Sequence, residues 1–187
     1  TLELVNNRLL LNFLNYEKDE NNKLKLKING SNIKGKTFFE SIILEENDNN
    51  FEIKNLFLTN DLKIDNFEMI KLYYFDQENM KNDLKIEKRK TDYLISGNFF
   101  NSSRILDTMT SDDDQSNSKI LKRNFDFEIK INEVYLDKKN IIKNLKGKLK
   151  YEKNEIVDAN LVAHFSDTEK FSLTIKSDNN GKVTTFF

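Results

Sequence analysis

A chain of 187 residues is long enough for one domain with a sizeable core. Its 30 basic residues are balanced by 31 acidic ones, so net charge gives no reason to expect nucleic acid or an anionic membrane surface as a partner, and the absence of Cys excludes disulfides and thiol chemistry. Charged residues make up 33% and hydrophobic ones 37%, but 15 Phe mark a chain that folds, around a thin core. Pro is absent too, which suits long uninterrupted strands, because Pro cannot donate to a sheet ladder. No basic-then-apolar leader follows Thr1 and no run nears the 18 or so apolar residues that span a bilayer. The chain therefore reads as a piece of a longer protein, with any export signal or membrane anchor expected outside it.

Leu2 and Leu4, then Leu9, Leu11 and Phe13, predict a hairpin turning at Asn6-Asn7, with Tyr16 near the end of its second strand. After a polar turn from Asp19 to Asn22, Leu24, Leu26 and Ile28 alternate with lysines. Ile33 then falls on the opposite parity, which predicts a bend near Gly30. Phe38, Phe39, Ile42, Ile43 and Leu44 form the next strand. In the one after it, Phe51 and Ile53 give way to Leu56 and Leu58 on the other parity, a second bend. Leu62 and Ile64 resume after the turn Thr59-Asn60-Asp61. Phe67 to Phe75 is so continuously apolar that it reads either as a strand buried on both faces or as one whose aromatics spill onto the outer face. Leu84 and Ile86 precede the basic run Lys88-Arg89-Lys90, and Tyr93, Ile95 and Gly97 lead to Phe99-Phe100.

From Ser103 to Met109 the pattern changes: a Ser cap followed by Ile105, Leu106 and Met109 predicts a short helix with one apolar stripe. Ser111 to Ser118 has no apolar residue and reads as a loop. Strands restart at Ile120. From Asn124 to Lys176 polar and apolar residues alternate through four runs, a meander with one apolar and one charged face. Residues 23–33 and 126–136 resemble each other, both carrying an Ile-Asn pair and then an apolar residue on the switched parity; a structural repeat and a chance likeness of alternating sequences both fit. One segment, 1–187, is expected, divided into strands (1–101), helix and polar loop (102–118) and meander (119–187).

No motif here carries chemistry. His164, the single histidine, shares parity with Asn160 and Ser166 and is expected on the polar face, without the carboxylate or nucleophile partner that catalysis needs. Asp112-Asp113-Asp114 lacks the spaced ligands, Gly and terminal Glu of a calcium loop. Lys88-Arg89-Lys90 could meet a phosphate, though a charge-protected edge strand explains it as well. With five scattered glycines there is no phosphate loop, and the chain is expected to be neither an enzyme nor a holder of a cofactor or metal. An amphipathic sheet must still cover its apolar side, and two helical turns cannot hide several strands. Physical chemistry thus leaves two forms open: a sandwich folded on itself, or a trough that holds an apolar ligand.

The segment from Asp92 onward, DYLISGNFFNSSRILD followed by the meander, resembles the AsmA-like family in its large YhdP-type members with the DUF3971 central region. The family pattern falls on Gly97, Ile105 and Leu106, Val134 and Leu136, Leu145 with Gly147 and Leu149, and Asp178 with Gly181; Ser166-Asp167-Thr168 stands where a Gly-rich turn is common. The resemblance implies an all-β fold: an extended, twisted antiparallel sheet curled into an apolar groove, with one short helix. It also implies a periplasmic protein of Gram-negative bacteria, anchored in the inner membrane by an N-terminal helix outside this segment, that moves phospholipid toward the outer membrane. Its partners would be phospholipid acyl chains and neighbouring β segments of the same chain. On this reading Phe125, Phe127, Ile129 and Ile131 of the first run, Leu149 and Tyr151 of the second, Leu161, Ala163 and Phe165 of the third, and Phe171, Leu173 and Ile175 of the fourth line the groove. The competing expectation is a closed β-sandwich serving as an adhesive or carbohydrate-binding module.

Overall fold

A computed structural model describes residues 1–33, 36–104, 124–152, 155–178 and 181–186. In chain order the strands are β1 (Leu2–Leu4), β2 (Leu9–Leu11), β3 (Tyr16–Lys18), β4 (Leu24–Ile33), β5 (Lys36–Glu46), β6 (Asn49–Leu58), β7 (Ile64–Asn66), β8 (Met69–Phe75), β9 (Lys81–Lys88), β10 (Tyr93–Asn101), β11 (Phe125–Tyr135), β12 (Ile141–Glu152), β13 (Glu155–His164), β14 (Lys170–Asp178) and β15 (Gly181–Phe186). A 3-10 turn at Asn12–Leu14 joins β2 to β3. Thirteen strands make one sheet in the order β1-β4-β5-β6-β8-β9-β10-β11-β12-β13-β14-β15, with β7 paired to β6; β2 and β3 form a separate two-stranded piece. The large sheet begins at β1, ends at β15 and does not close into a barrel.

Every pair in it is antiparallel except β10 with β11, which run parallel from Tyr93↔Phe127 to Asn101↔Tyr135. The alternation could not reveal this, since side-chain parity is the same in either direction. A parallel pair needs a crossover of a dozen or more residues, and Ser102 to Asn124 supplies one. Within it, positions 105–123 lie outside the described residues. They include most of the helix predicted from Ser103 to Met109, the loop Ser111 to Ser118, Asp112-Asp113-Asp114 and the family positions Ile105 and Leu106.

The N-terminus differs from the predicted hairpin. Leu2 and Leu4 pair not with the next strand but with Leu26 and Leu24 of β4, and it is β2 and β3 that form a hairpin. Phe13 sits in the 3-10 turn, which Asn15 ends in the left-handed conformation (φ 51°) that Asn tolerates better than most residues. Both predicted bends are present. β4 shifts register between Asn29 and Gly30, and β6 switches parity at Asn55, whose φ is 49°. A third bend crosses β10, β11 and β12 at Asn98, Asn132 and Asn144, where the inward residues change from Gly97, Ile131 and Leu145 to Phe100, Val134 and Ile142. Asn144 has φ 54°, and Asn132 Nδ2 donates to Asn98 Oδ1 at 3.0 Å. The tetrapeptide Ile-Lys-Asn-Leu occurs at both left-handed positions, 53–56 and 142–145. The likeness between 23–33 and 126–136 is of the same kind, since each Ile-Asn pair stands at a bend.

The aromatic run 67–75 follows the second of its two readings: Phe67, Leu72 and Tyr74 are buried, whereas Phe75 is 38% exposed. Apolar residues from β5 through β14 belong to one packed cluster. The described residues that overlie it from outside the large sheet are those of β2, β3 and their turn. One face of the sheet thus carries the core, beneath the hairpin at one end.

Candidate apolar site

Register turns the alternation into rows. One runs Ile28–Ile42–Ile53–Ile70–Ile86–Ile95–Ile129 across β4, β5, β6, β8, β9, β10 and β11, then Gly147, Leu161 and Leu173 on β12 to β14. At about 4.8 Å between strands this is an apolar line of roughly 43 Å. A second row on the same face runs Leu2–Leu26–Leu44–Phe51–Leu72–Leu84–Gly97–Ile131–Leu145. Both glycines lie beside β11: Gly97 faces Ile131 and Gly147 faces Ile129. A Cβ on Gly97 would lie 2.2 Å from the Asp83 carbonyl oxygen, and one on Gly147 2.0 Å from that of Asn160, so neighbouring backbone fills both places.

Of the twelve residues expected in a groove, eleven share this face. Phe125 pairs with Tyr151; Phe127, Leu149, Ala159 and Ile175 form one row; Ile129, Leu161 and Leu173 lie in the isoleucine row with Ile131 below; and Ala163 pairs with Phe171. Phe165 does not join them: it lies in the β13–β14 turn, 44% exposed, its ring edge-on to Phe171 at 5.8 Å. His164 keeps the polar parity, opposite Lys143 and Lys170. The sequence reading placed no lining residue before Phe125. Ile42, Ile53, Ile70, Ile86 and Ile95 complete the row, and their alternation was visible, but alternation without register does not say which strand lies beside which.

The two ends of the face differ. Toward Tyr74 lie Phe51, Leu72, Leu84, Val134, Ile142 and Leu145, under Leu9, Leu11, Leu14 and Tyr16 of the hairpin. Tyr16 is 0% exposed, its ring 4.8 Å from Phe51 and 5.9 Å from Tyr74. Its hydroxyl donates to Glu46 Oε2 at 2.6 Å, and the Glu46 carboxylate also accepts from Asn22 at 2.7 Å and Asn49 at 2.8 Å. Lys18, also buried, donates from Nζ to the carbonyls of Asn7 and Asp19. Burial first, then the Glu46 bond, pushes the Tyr16 hydroxyl far above its ordinary range; burial, then the charge of Asp76, does the same to Tyr74.

The other end is aromatic. Phe67, Tyr93 and Phe125 are buried there with Leu56, and Phe39, Leu58, Ile64, Ile86, Phe127 and Tyr151 are partly exposed. Lys88-Arg89-Lys90 lies here as well. Its strand β9 is interior, between β8 and β10, so edge protection does not account for the charges; Lys88 ends β9, and Arg89 and Lys90 begin the β9–β10 turn. Lys88 is opposite Tyr93 in the ladder, and both donate to Asn66 Oδ1, at 3.0 and 2.8 Å. Arg89 pairs with Glu128, whose carboxyl is held below its usual range by Lys130 first and also by Arg89.

A cavity of about 580 Å³ lies on the opposite, polar face. Its walls are two polar rows, Asp126–Lys150–Asp158–Lys176 and Lys148–Asn160–Thr174, and its floor is the backbone of the Phe127–Leu149–Ala159 row between them. Among the described residues no three His, Cys, Asp or Glu side chains stand close enough to hold a metal ion. No family model, no curated protein and no solved structure matches this chain.

Proposed function

We propose that this chain is a non-enzymatic lipid-handling segment that binds acyl chains on its apolar face, within a periplasmic AsmA-like bridge carrying phospholipid between inner and outer membranes. The observation that supports the reading is the in-register apolar row crossing an unclosed sheet, with charged side chains on the other face. Each CH2 withdrawn from water onto that row contributes about 0.8 kcal/mol, so affinity grows with chain length and needs no bond made or broken. The free edges at β1 and β15 are where neighbouring β segments would add strands and lengthen the row.

One observation favours a second reading. Ile129 is only 7% exposed, and Ile131, Ile142, Ala163 and Ile175 are buried likewise, as in a sheet packed on itself to serve as an adhesive or carbohydrate-binding module. Mass spectrometry of lipids extracted from the purified chain separates the two. Copurifying phospholipid that is lost in Phe127→Asn, a partly exposed position, supports the lipid reading. No copurifying lipid, with the fold intact, supports the self-packed module.

A further inference from the structure

The two ends of the apolar face and the basic turn beside one of them carry a more specific reading, which rests on the lipid function proposed above. We infer that the ligand is a single lipid with an anionic, phosphate-bearing headgroup, held at Lys88 and Lys90, whose acyl chain enters from the aromatic end and is stopped by the N-terminal hairpin.

The hairpin is a fitted stopper. Leu9, Leu11 and Leu14 pack into the same cluster as Val134, Ile142 and Leu145. Polar bonds fasten the hairpin to the sheet: Tyr16 to Glu46 of β5, the Tyr74 hydroxyl of β8 to the Leu14 carbonyl at 3.0 Å, and the Gln77 N–H of the β8–β9 turn to the Asn15 carbonyl at 2.9 Å. An acyl chain entering there would have to displace the hairpin and break these bonds, of which Tyr16 to Glu46 is buried. At the aromatic end the packed residues all come from the large sheet's own strands or from Phe67 between β7 and β8, and most are partly exposed.

At that partly exposed end sits the cationic turn. Because Lys88 is opposite Tyr93, its side chain rises from the same face as the apolar rows, at their rim. Arg89 is engaged by Glu128, whereas Lys90 is exposed and makes no hydrogen bond or ion pair to any described residue. Ammonium groups at the rim and aromatic rings behind them match a phosphate ester joined to an acyl chain. From Lys88 to Asp92 the chain carries three cations and one carboxylate, with Arg89 matched by Glu128; Glu68, whose carbonyl accepts from the Lys88 N–H, and Asp126, which lines a cavity with Asp92, are the other carboxylates nearby.

The test uses a photoreactive phenylalanine at Tyr151, in the aromatic end, or at Phe100, in the stoppered end, with the chain exposed to vesicles of phosphatidylglycerol or of phosphatidylcholine. Crosslinking to acyl chains is expected from Tyr151 and not from Phe100. Phosphatidylglycerol should be captured several-fold better than phosphatidylcholine, and Lys88→Gln/Lys90→Gln should remove that preference without abolishing capture. Equal crosslinking from both positions, equal capture of both lipids, or competition by glycerol phosphate as effective as by the lipid would each overturn the inference while leaving the lipid function standing. No crosslink from either position with either lipid would overturn the lipid function itself.

Discussion

Single residues decide how closely the strands approach and how the hairpin stays closed. Gly147 has φ +152° and the Asn160 carbonyl where a Cβ would go, so Gly147→Ala forces β12 and β13 apart. An overpacked position of this kind costs about 1–3 kcal/mol, to be read as a lower urea midpoint with unchanged slope. Tyr16 makes stability depend on alkali. Its hydroxyl is raised well above the ordinary value near 10, so the folded chain keeps a proton that the unfolded chain releases. This contribution is fully present below about pH 10 and is lost as pH rises from there toward the folded value. The urea midpoint should therefore fall as pH rises above about 10, and Tyr16→Phe should make that fall shallower while costing about 1 kcal/mol at neutral pH. Tyr74, raised for the same first reason, contributes to the slope that remains.

At the scale of elements, bends decide which side chains share a face. In β6 and β12 one Asn in the left-handed region turns the strand over so that apolar residues continue inward on the other parity. Asn144→Val cannot adopt that conformation without about 1–2 kcal/mol of strain, whereas Asn144→Gly should be at least as stable as the parent; thermal melts of the two variants decide it. These bends were legible in the sequence wherever apolar residues changed parity, at Ile28/Ile33 and at Ile53/Leu56, because parity is a local property of the chain. What was not legible is relational. Leu2 and Leu4 alternate equally well against β2 or β4, and only the Leu24–Leu26 ladder chooses between them. Lys18 and Glu46 look like surface charges until the hairpin brings carbonyls to one and hydroxyl and amide donors to the other. Eleven of the twelve residues named from Phe125 to Ile175 share one face for the same local reason, parity; Phe165 is carried away by the turn.

At the scale of the whole molecule, the sheet is nearly all hairpins: β4 to β10 pair with near neighbours in sequence, and so do β11 to β15. The parallel seam between β10 and β11 is the exception, and it has a kinetic consequence. Local hairpins close quickly, whereas the seam brings together strands separated by the long connection from Ser102 to Asn124 and must first meet the entropy of that loop. The expected order is therefore that each meander forms its own ladder first, and that the seam, with the core the two share, forms last. Ile95→Ala, at the seam, should speed unfolding in stopped-flow measurements and leave the refolding rate nearly unchanged; a refolding rate that slows in proportion to the lost stability would place the seam in the nucleus instead. Under mechanical load or partial denaturation the molecule should part along this line, into halves that each keep their own ladder.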